Sequence, residues 1–263
     1  MDDSPDDVAG RLSRDHVGSL QRGLAVIEVL AANPSGLTLS EAAEMTGLTR
    51  AGARRLLLTL VAEGFATLDG RRFQLSPKLL TLVRTWLQGT TLWSYAEPTM
   101  RALAAHLEEA CSAAVLSGQD IVYVARVPGR RIVSVALHVG ARLPAWCTSM
   151  GRVLLAGLSE AELAVFLAGL RMEPLTGKTI TDPAALAAEI ARCRLQGFSL
   201  VDEELEIGLR SIAVPVRDRA GRVLAALNVS TQSARFTPAE MEARILPPLT
   251  EAARQIEDYF VLE

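Results

Sequence analysis

The chain has 263 residues, of which 49% are hydrophobic and 22% charged, and its formal net charge is −3. This length fits one large domain or two ordinary ones, and the composition supports a buried core, which excludes a disordered or fibrous protein. No apolar run approaches the roughly 18 residues of a membrane span, and the acidic N-terminus lacks the apolar segment of a signal peptide. We therefore expect a cytoplasmic protein that makes no contact with membranes. Its three cysteines are far apart in the chain, which indicates neither a disulfide framework nor a zinc site.

The first quarter of the chain contains the signals of a helix-turn-helix. Residues 1–17 are acidic and polar and are expected to form a disordered tail, and apolar residues at helical spacing predict a helix over Ser19–Ala32. Thr38 and Glu41 have the spacing of a capping box at the start of a second, short helix. After a glycine turn, Thr49 is a suitable N-cap for a third helix.

A predicted hairpin completes a winged helix-turn-helix domain over residues 18–76. Two short strands flank the Asp-Gly turn at residues 69–70. From residue 49 to residue 75, five arginines stand against two acidic residues, which makes a local charge of +3 in an acidic protein. Such arginines can contact phosphates and guanine in the major groove of an operator, whereas a solvated helix face and a charged hairpin edge are the alternative. The candidate DNA-binding residues from this pattern are Thr49, Arg50, Arg54, Arg55, Arg71 and Arg72.

The rest of the chain predicts a linker helix and an α+β domain. Residues 77–93 are too apolar for a solvated connection, and we interpret them as a helix that packs against a partner chain. Residues 94–263 alternate helical and β-branched segments, which predicts a mainly antiparallel sheet with helices. Strands are predicted over residues 112–117, 121–127, 132–139, 211–217 and 222–231, and helices over residues 95–110, 151–156, 159–170, 182–196 and 237–259.

Polar residues occur in this domain where a sheet core should be apolar. In the last predicted strand, Asn228 and Ser230 share one face with Leu224 and Ala226, and Ser211 begins the neighbouring strand. Buried amides and hydroxyls need partners, and the carboxylate of a ligand would serve, whereas a solvent-facing strand is the alternative.

A second candidate ligand site lies at the start of the predicted helix over residues 151–156. Thr148, Ser149, Met150 and Gly151 would present free amides at a helix N-terminus, and Arg152 would add a positive charge. Such a group can hold a carboxylate, although many ordinary helices also begin with Thr or Ser.

The residue types that carry catalysis or metal binding form no recognisable constellation. Cys147 near His138 suggests a thiol nucleophile, but no oriented third residue is visible. We interpret the acidic run over residues 202–206 as a solvated loop, with a ligand-site wall at Asp202 or a metal site as alternatives. Trp146 would supply a flat wall to a ligand, although a core position is commoner for tryptophan. We expect no catalytic residue, no metal site and no cofactor.

Several motifs resemble those of the IclR-type transcriptional regulators and stand in that family's order. They are Ser19–Leu24, the helix-turn-helix, Leu143–Arg152 and Gly208–Val216. The stretches Arg130–Val135 and Val201–Ser211 are most similar to the subgroup that controls catabolism of protocatechuate, p-hydroxybenzoate and the β-ketoadipate pathway.

The resemblance implies a winged-helix DNA-binding domain, a linker helix and a C-terminal GAF-like effector domain, in a homodimer or a dimer of dimers. It places the effector against the sheet of the C-terminal domain. The site residues that it implies are Gln21 and Arg22 for DNA, and Met150, Gly151, Ser211, Asn228 and Ser230 for the effector.

We therefore predict a ligand-responsive transcriptional regulator, with a double-stranded DNA operator and a small carboxylate effector as its partners. The effector is expected to be an aromatic acid or a dicarboxylate. A small-molecule enzyme or ligand-binding module, whose helix-turn-helix serves only protein contact, is one alternative. A DNA-binding dimer without a ligand is another, and it would lack a closed cavity at Asn228 and Ser230.

Overall fold

The computed structural model describes residues 17–79, 81, 91–129 and 137–259, and these form two compact units that divide between residues 89 and 90. The predicted tail, most of the linker helix over residues 77–93 and most of the strand over residues 132–139 lie outside the described residues. Within the described ranges, no helix combines the length and the apolar character needed to cross a membrane.

The described elements of the N-terminal unit are three helices and a three-stranded antiparallel sheet. Its elements are α1 (Gly18–Ala31), β1 (Leu37–Thr38), α2 (Leu39–Thr46), α3 (Arg50–Ala62), β2 (Ala66–Asp69) and β3 (Arg72–Leu75). The central strand β3 pairs with both β1 and β2. The predicted helix-turn-helix followed by a hairpin is therefore confirmed.

Local sequence signals explain where α2 and α3 begin. The Glu41 amide donates to Thr38 Oγ1 at 3.4 Å and the Thr38 amide donates to the Glu41 carboxylate at 2.7 Å, which is the predicted capping box. Thr49 Oγ1 accepts from the Gly52 amide at 3.2 Å and caps α3. Between the two helices, Gly47 has a φ of 66°, a left-handed conformation that favours glycine.

A small apolar core holds the three helices against the hairpin. Its buried residues are Val26, Leu30, Leu37, Ala42, Leu57, Ala66 and Phe73. The apolar residues at helical spacing on α3 form a stripe toward this core, in which Ala53 and Leu57 are fully buried and Leu56, Leu60 and Val61 are half-buried. The stripe predicted on α1 is only partly buried, because the core-facing side of this helix runs through Val26 and Leu30 and leaves Leu20 and Leu24 exposed.

In its described residues, the C-terminal unit is built on one six-stranded antiparallel sheet. Its elements are α4 (Thr91–Leu107), β4 (Ala110–Ser117), β5 (Asp120–Val127), β6 (Arg142–Pro144), α5 (Ser149–Ala156), α6 (Glu160–Ala168), α7 (Pro183–Gln196), β7 (Ser199–Asp202), β8 (Leu209–Arg217), β9 (Val223–Gln232), α8 (Pro238–Arg244) and α9 (Leu246–Glu257). The strand order is β6-β5-β4-β9-β8-β7, with all neighbours antiparallel. The predicted α+β class is confirmed.

Three elements differ from the sequence prediction. The edge strands β6 and β7 were not predicted, because strands of three and four residues are too short to show a period of two. The single predicted helix over residues 237–259 is two helices, since Pro247 and Pro248 lack the amides that would continue α8 and instead occupy the first turn of α9.

The sheet has an apolar core on each face. On one face, Ala225, Leu227 and Val229 of β9 pack with residues of α4, α8 and α9. On the other face, Ala226 packs with residues of α5, α6 and α7. Because side chains alternate along a strand, Asn228 and Ser230 point to the same side as Ala226, toward α5.

Candidate DNA interface and effector cavity

Helix α3 presents three exposed arginines. Arg50, Arg54 and Arg55 are exposed, and their guanidinium groups make no ion pair or hydrogen bond within the part of the chain that the structure describes. These charges are therefore available to an anionic partner.

The other candidate arginines for DNA contact lie in the hairpin and on α1. They differ in whether their guanidinium groups already make hydrogen bonds. Arg71 is exposed in the turn of the hairpin. Arg72 donates from Nη1 to the Gly36 carbonyl at 2.7 Å and lies 3.7 Å from the Glu41 carboxylate, so its guanidinium is partly engaged. The exposed Arg22 donates from Nε to the Gly18 carbonyl at 2.8 Å.

One open groove brings several of these candidates together. Arg22 of α1 and Arg55 of α3 both line it, and so does Thr49 at the N-terminus of α3. A helix N-terminus flanked by two guanidinium groups favours a phosphate. Gln21 is exposed on α1.

In the C-terminal unit, a cavity of about 570 Å³, its open mouth included, lies between the sheet and α5. Its floor comprises two rows across the sheet, because directly opposite residues on neighbouring strands point to the same face. One row has Arg126 on β5 and Asn228 on β9, and Ser112 of β4, which pairs with both, lies between them. The next row is Ala110, Ser230, Ser211 and Val201 on β4, β9, β8 and β7.

The start of α5 covers this floor. Thr148 caps the helix by accepting from the Gly151 amide at 3.2 Å, and it donates to the Pro144 carbonyl at 3.1 Å. Ser149 Oγ donates to Ser211 Oγ at 2.9 Å and joins α5 to the sheet. The two polar groups that the sequence analysis treated separately, at the start of α5 and on the strands, therefore line one cavity.

Asn228 has an unusual hydrogen-bonding state for a buried side chain. The residue is 3% exposed, and its Nδ2 donates to Ser230 Oγ at 3.0 Å. Its Oδ1 is buried and has no hydrogen-bond partner among the described residues. A buried acceptor without a partner costs roughly 1–3 kcal/mol, which a bound donor would offset.

The sequence analysis missed two cavity residues on β5. Arg126 is the charged side chain among the described residues that line this cavity, and its Nη1 donates to Ser112 Oγ at 3.3 Å. Burial raises the pKa of Tyr123 to about 12, partly opposed by the Arg126 charge, so its hydroxyl stays protonated at neutral pH and can donate. The available signal was the single charge inside an otherwise apolar strand over residues 121–127.

Several residues that the sequence placed at the effector site or on its face lie outside the lining of the cavity. Trp146 is buried and its carbonyl accepts from Arg152 Nε at 3.1 Å. Gly151 packs against the main chain, where a Cβ atom would lie 1.9 Å from the Ala145 oxygen. The Asp202 carboxylate binds Arg210 at 2.6 Å and Lys178 at 2.9 Å. Leu224, expected on the cavity face, is 38% exposed.

A buried ion pair corrects two expectations from the sequence. Arg152 and Glu204 are 1% and 7% exposed and form two parallel hydrogen bonds of 2.8 and 2.5 Å. Arg152 is therefore engaged and does not hold a ligand carboxylate. The interpretation of residues 202–206 as a solvated loop was wrong at Glu204, which is buried. The sequence gave no signal of its pairing with Arg152, because the two residues are 52 positions apart.

The thiol alternative is also unsupported by the geometry. Burial raises the pKa of the Cys147 thiol to about 12, partly opposed by the charge of Arg152, so the reactive thiolate is scarce at neutral pH. His138 is exposed, and its Nδ1 lies 2.9 Å from the Val139 carbonyl oxygen.

A helix-turn-helix with exposed arginines, joined in one chain to a domain with a polar-lined cavity, defines a ligand-responsive DNA-binding regulator. The family models that match this chain indicate the same class of protein. Residues 19–70 match the IclR helix-turn-helix domain, and residues 84–258 match the bacterial transcriptional regulator IclR C-terminal domain. The chain belongs to the IclR family of bacterial transcriptional regulators.

Individual relatives are similar over nearly the whole chain. The Pca regulon regulatory protein of Pseudomonas putida is 46% identical over 243 residues, which cover 92% of this chain and 84% of that protein. A crystal structure of a transcriptional regulator from Rhodococcus sp. RHA1 has 43% identity and a TM-score of 0.82, covering 94% and 99% of the two chains. An IclR homologue from Microbacterium hydrocarbonoxydans, solved in complex with 4-hydroxybenzoate, has 25% identity and a TM-score of 0.81, covering 93% and 100%.

Proposed function

We propose that this protein controls genes of aromatic acid catabolism in the cytoplasm, and that a small carboxylate in the cavity under α5 changes its affinity for an operator. The Pca regulon regulator and the 4-hydroxybenzoate complex among its relatives support this class of genes and of effector. We infer an aromatic acid or a dicarboxylate.

The observation that carries the proposal is the polar pair Arg126 and Asn228 on the floor of the cavity. The Arg126 guanidinium supplies a positive charge for a carboxylate, and the Tyr123 hydroxyl and the first amides of α5 add donors. Leu137 and Leu143 supply apolar surface for the body of the acid.

The DNA-binding role is inferred from the free arginines of α3. Inserted in a major groove, this helix would bring Arg50, Arg54 and Arg55 to phosphates and base edges, with Arg71 at the hairpin contacting the flanking backbone. Arg22, Gln21 and Arg72 are proposed as further backbone contacts.

We further propose a homodimer or a dimer of dimers that binds a two-fold operator, with half-sites roughly 34–36 Å apart. The exposed leucines of α1, Leu20 at 62% and Leu24 at 52%, support an interface between copies. Sedimentation of the full chain should show at least a dimer, and a stable monomer at micromolar concentration would contradict this.

Thermal unfolding of the full chain with a panel of acids tests the effector site. An acid at a hundredfold excess over its dissociation constant should stabilise the protein by about 2.7 kcal/mol. The Asn228→Ala variant should lose most of that shift. A panel of aromatic acids and short dicarboxylates that moves neither protein would refute a carboxylate effector.

A further inference from the structure

The exposed face of α3 has two apolar side chains between its arginines. Ala51 and Leu58 are both exposed, Leu58 at 37%. A helix turns about 100° per residue, so residues seven positions apart point in nearly the same direction. Arg54 and Arg55, three and four residues after Ala51, lie on the two sides of the line that joins these apolar side chains. A partner bound by these two arginines therefore also meets Ala51 and Leu58.

Leu58 and Ala51 do not belong to the apolar core of their unit. The core takes Leu57 from α3, and Leu56, Leu60 and Val61 pack against it, whereas neither Ala51 nor Leu58 is among the described residues that form or border it. Their apolar surface is therefore available to a partner of α3, and the charge of the neighbouring arginines favours DNA as that partner.

The residue types in α3 restrict how this helix can distinguish bases. Its sequence, residues 50–62, contains no Asn, Gln, Asp or Glu, the side chains that pair with adenine or accept from the amino group of cytosine. Its one hydroxyl, on Thr59, already donates to the Arg55 carbonyl at 2.8 Å. In the major groove, arginine pairs with guanine and apolar side chains contact the C5-methyl group of thymine. Apart from its arginines, α3 therefore has mainly apolar contacts with which to read a base.

We propose that Ala51 and Leu58 are specificity-determining residues, which select operators by contact with thymine methyl groups in the major groove. Ala51 is the second residue of α3, and the first residues of a recognition helix reach the base edges. Leu58 lies about 10 Å further along the helix axis, so the two side chains contact different base pairs. This inference rests on the proposed DNA-binding role of α3.

The test replaces thymine by uracil in DNA that the protein binds. The probe is a double-stranded fragment that the full-length wild type selects from a random pool, with deoxyuridine placed at one thymine position of both half-sites at a time. Uracil keeps every hydrogen-bonding group of thymine and lacks only the methyl group. By fluorescence anisotropy, at least two positions should lose affinity, roughly fourfold for each contacted methyl group removed, the factor expected for one buried CH₂ group.

Two variants connect these losses to the named side chains. In Leu58→Ala the loss caused by uracil should disappear at one thymine position, and in Ala51→Gly it should disappear at another. Both residues are exposed, so both variants should keep the wild-type circular dichroism spectrum. The matched control is Leu195→Ala, the same replacement at a leucine that is 89% exposed on α7, and it should keep every loss caused by uracil.

Three results would overturn the inference: selected fragments that share no thymine, uracil that replaces each thymine without loss of affinity, and losses that persist unchanged in both α3 variants. If the wild type selects no fragment from the pool, the proposed DNA-binding role fails together with this inference. That result is distinct from tight binding that is insensitive to uracil, which overturns the thymine contacts alone.

Discussion

The two units of this protein use arginine in opposite ways. In the helix-turn-helix, Arg50, Arg54 and Arg55 are exposed and make no ion pair with any described residue. In the C-terminal unit, Arg152 is buried against Glu204, and Arg210 is buried against Asp202. Arg126 lies between these extremes, half-buried on the floor of a cavity with a single long hydrogen bond.

This comparison shows that the role of an arginine depends on whether its guanidinium group is buried and whether it is paired with a carboxylate. A buried charge already paired with a carboxylate joins parts of the fold, and its removal leaves the partner unsatisfied. An exposed unpaired charge contributes little to folding and is available to a polyanion. A partly buried charge without a carboxylate partner among the described residues is a candidate to bind an anion. The predictions below separate these three roles.

The largest effect is expected from breaking the buried pair. Glu204→Ala should destabilise the protein by about 3–5 kcal/mol, because Arg152 would keep an uncompensated charge inside the protein. Chemical denaturation, followed by a signal from the C-terminal unit, measures this loss of stability. The double variant Arg152→Met with Glu204→Leu should recover much of the loss, since no isolated charge remains. Equal losses in the single and double variants would contradict the role of the pair.

A smaller effect is expected from removing the cavity charge. Arg126→Met should weaken the binding of every carboxylate by about 1.5–3 kcal/mol, the range for a hydrogen bond to a charged group. Titration calorimetry with 4-hydroxybenzoate and benzoate measures the loss for both acids. This variant should weaken both acids by a similar factor, and a selective loss of one acid would place the carboxylate elsewhere.

The exposed arginines should affect operator binding and leave folding unchanged. Arg54→Ala or Arg55→Ala is expected to weaken operator binding by about 1–3 kcal/mol if a base contact is lost, and uniformly across sequences if a phosphate contact is lost. The melting temperature should stay nearly the same, because both residues lie off the buried stripe of α3.

Arg101→Ala is the control for this pair, because Arg101 is also exposed but lies on α4 and is paired with Glu97. It should change neither operator affinity nor stability by much. Unchanged operator affinity in both α3 variants would refute the assignment of α3 as the recognition helix.

The smallest effect concerns pH. Hydrogen bonds from Lys178, Ser233 and the Gly208 amide lower the pKa of Glu203 to about 2 in the folded protein. The folded pKa lies below the unfolded value of about 4.3, so this stabilisation is present above that value and is lost as the pH falls toward about 2. Glu203→Gln should therefore melt lower than the wild type at pH 6, and the gap should shrink below pH 4. A gap that is constant with pH would contradict this.

Much of the fold could be predicted because its signals are local. The capping box of Thr38 and Glu41 and the apolar stripe at Ala53 and Leu57 are visible within a few residues of sequence. The alternation along β9 also placed Asn228 and Ser230 on one face, where the structure has them.

The missed features depend on pairings between distant residues. Arg152 meets Glu204 only through tertiary packing, and the sequence shows neither that Glu204 is buried nor that Arg152 is engaged. Arg126 reaches the cavity because β5 pairs with β4, a register that one strand alone does not reveal. The free oxygen of Asn228 likewise depends on which partner its amide already has.

The central claim is that an acid in the cavity changes DNA binding by α3. The direct measurement is operator affinity, by fluorescence anisotropy on a fragment selected from a random DNA pool, with and without 4-hydroxybenzoate. In the wild type, the acid should change this affinity, and in Arg126→Met the same change should need at least roughly tenfold more acid. An acid that binds the cavity by calorimetry but leaves operator affinity unchanged would contradict the account, as would an equal response of both proteins.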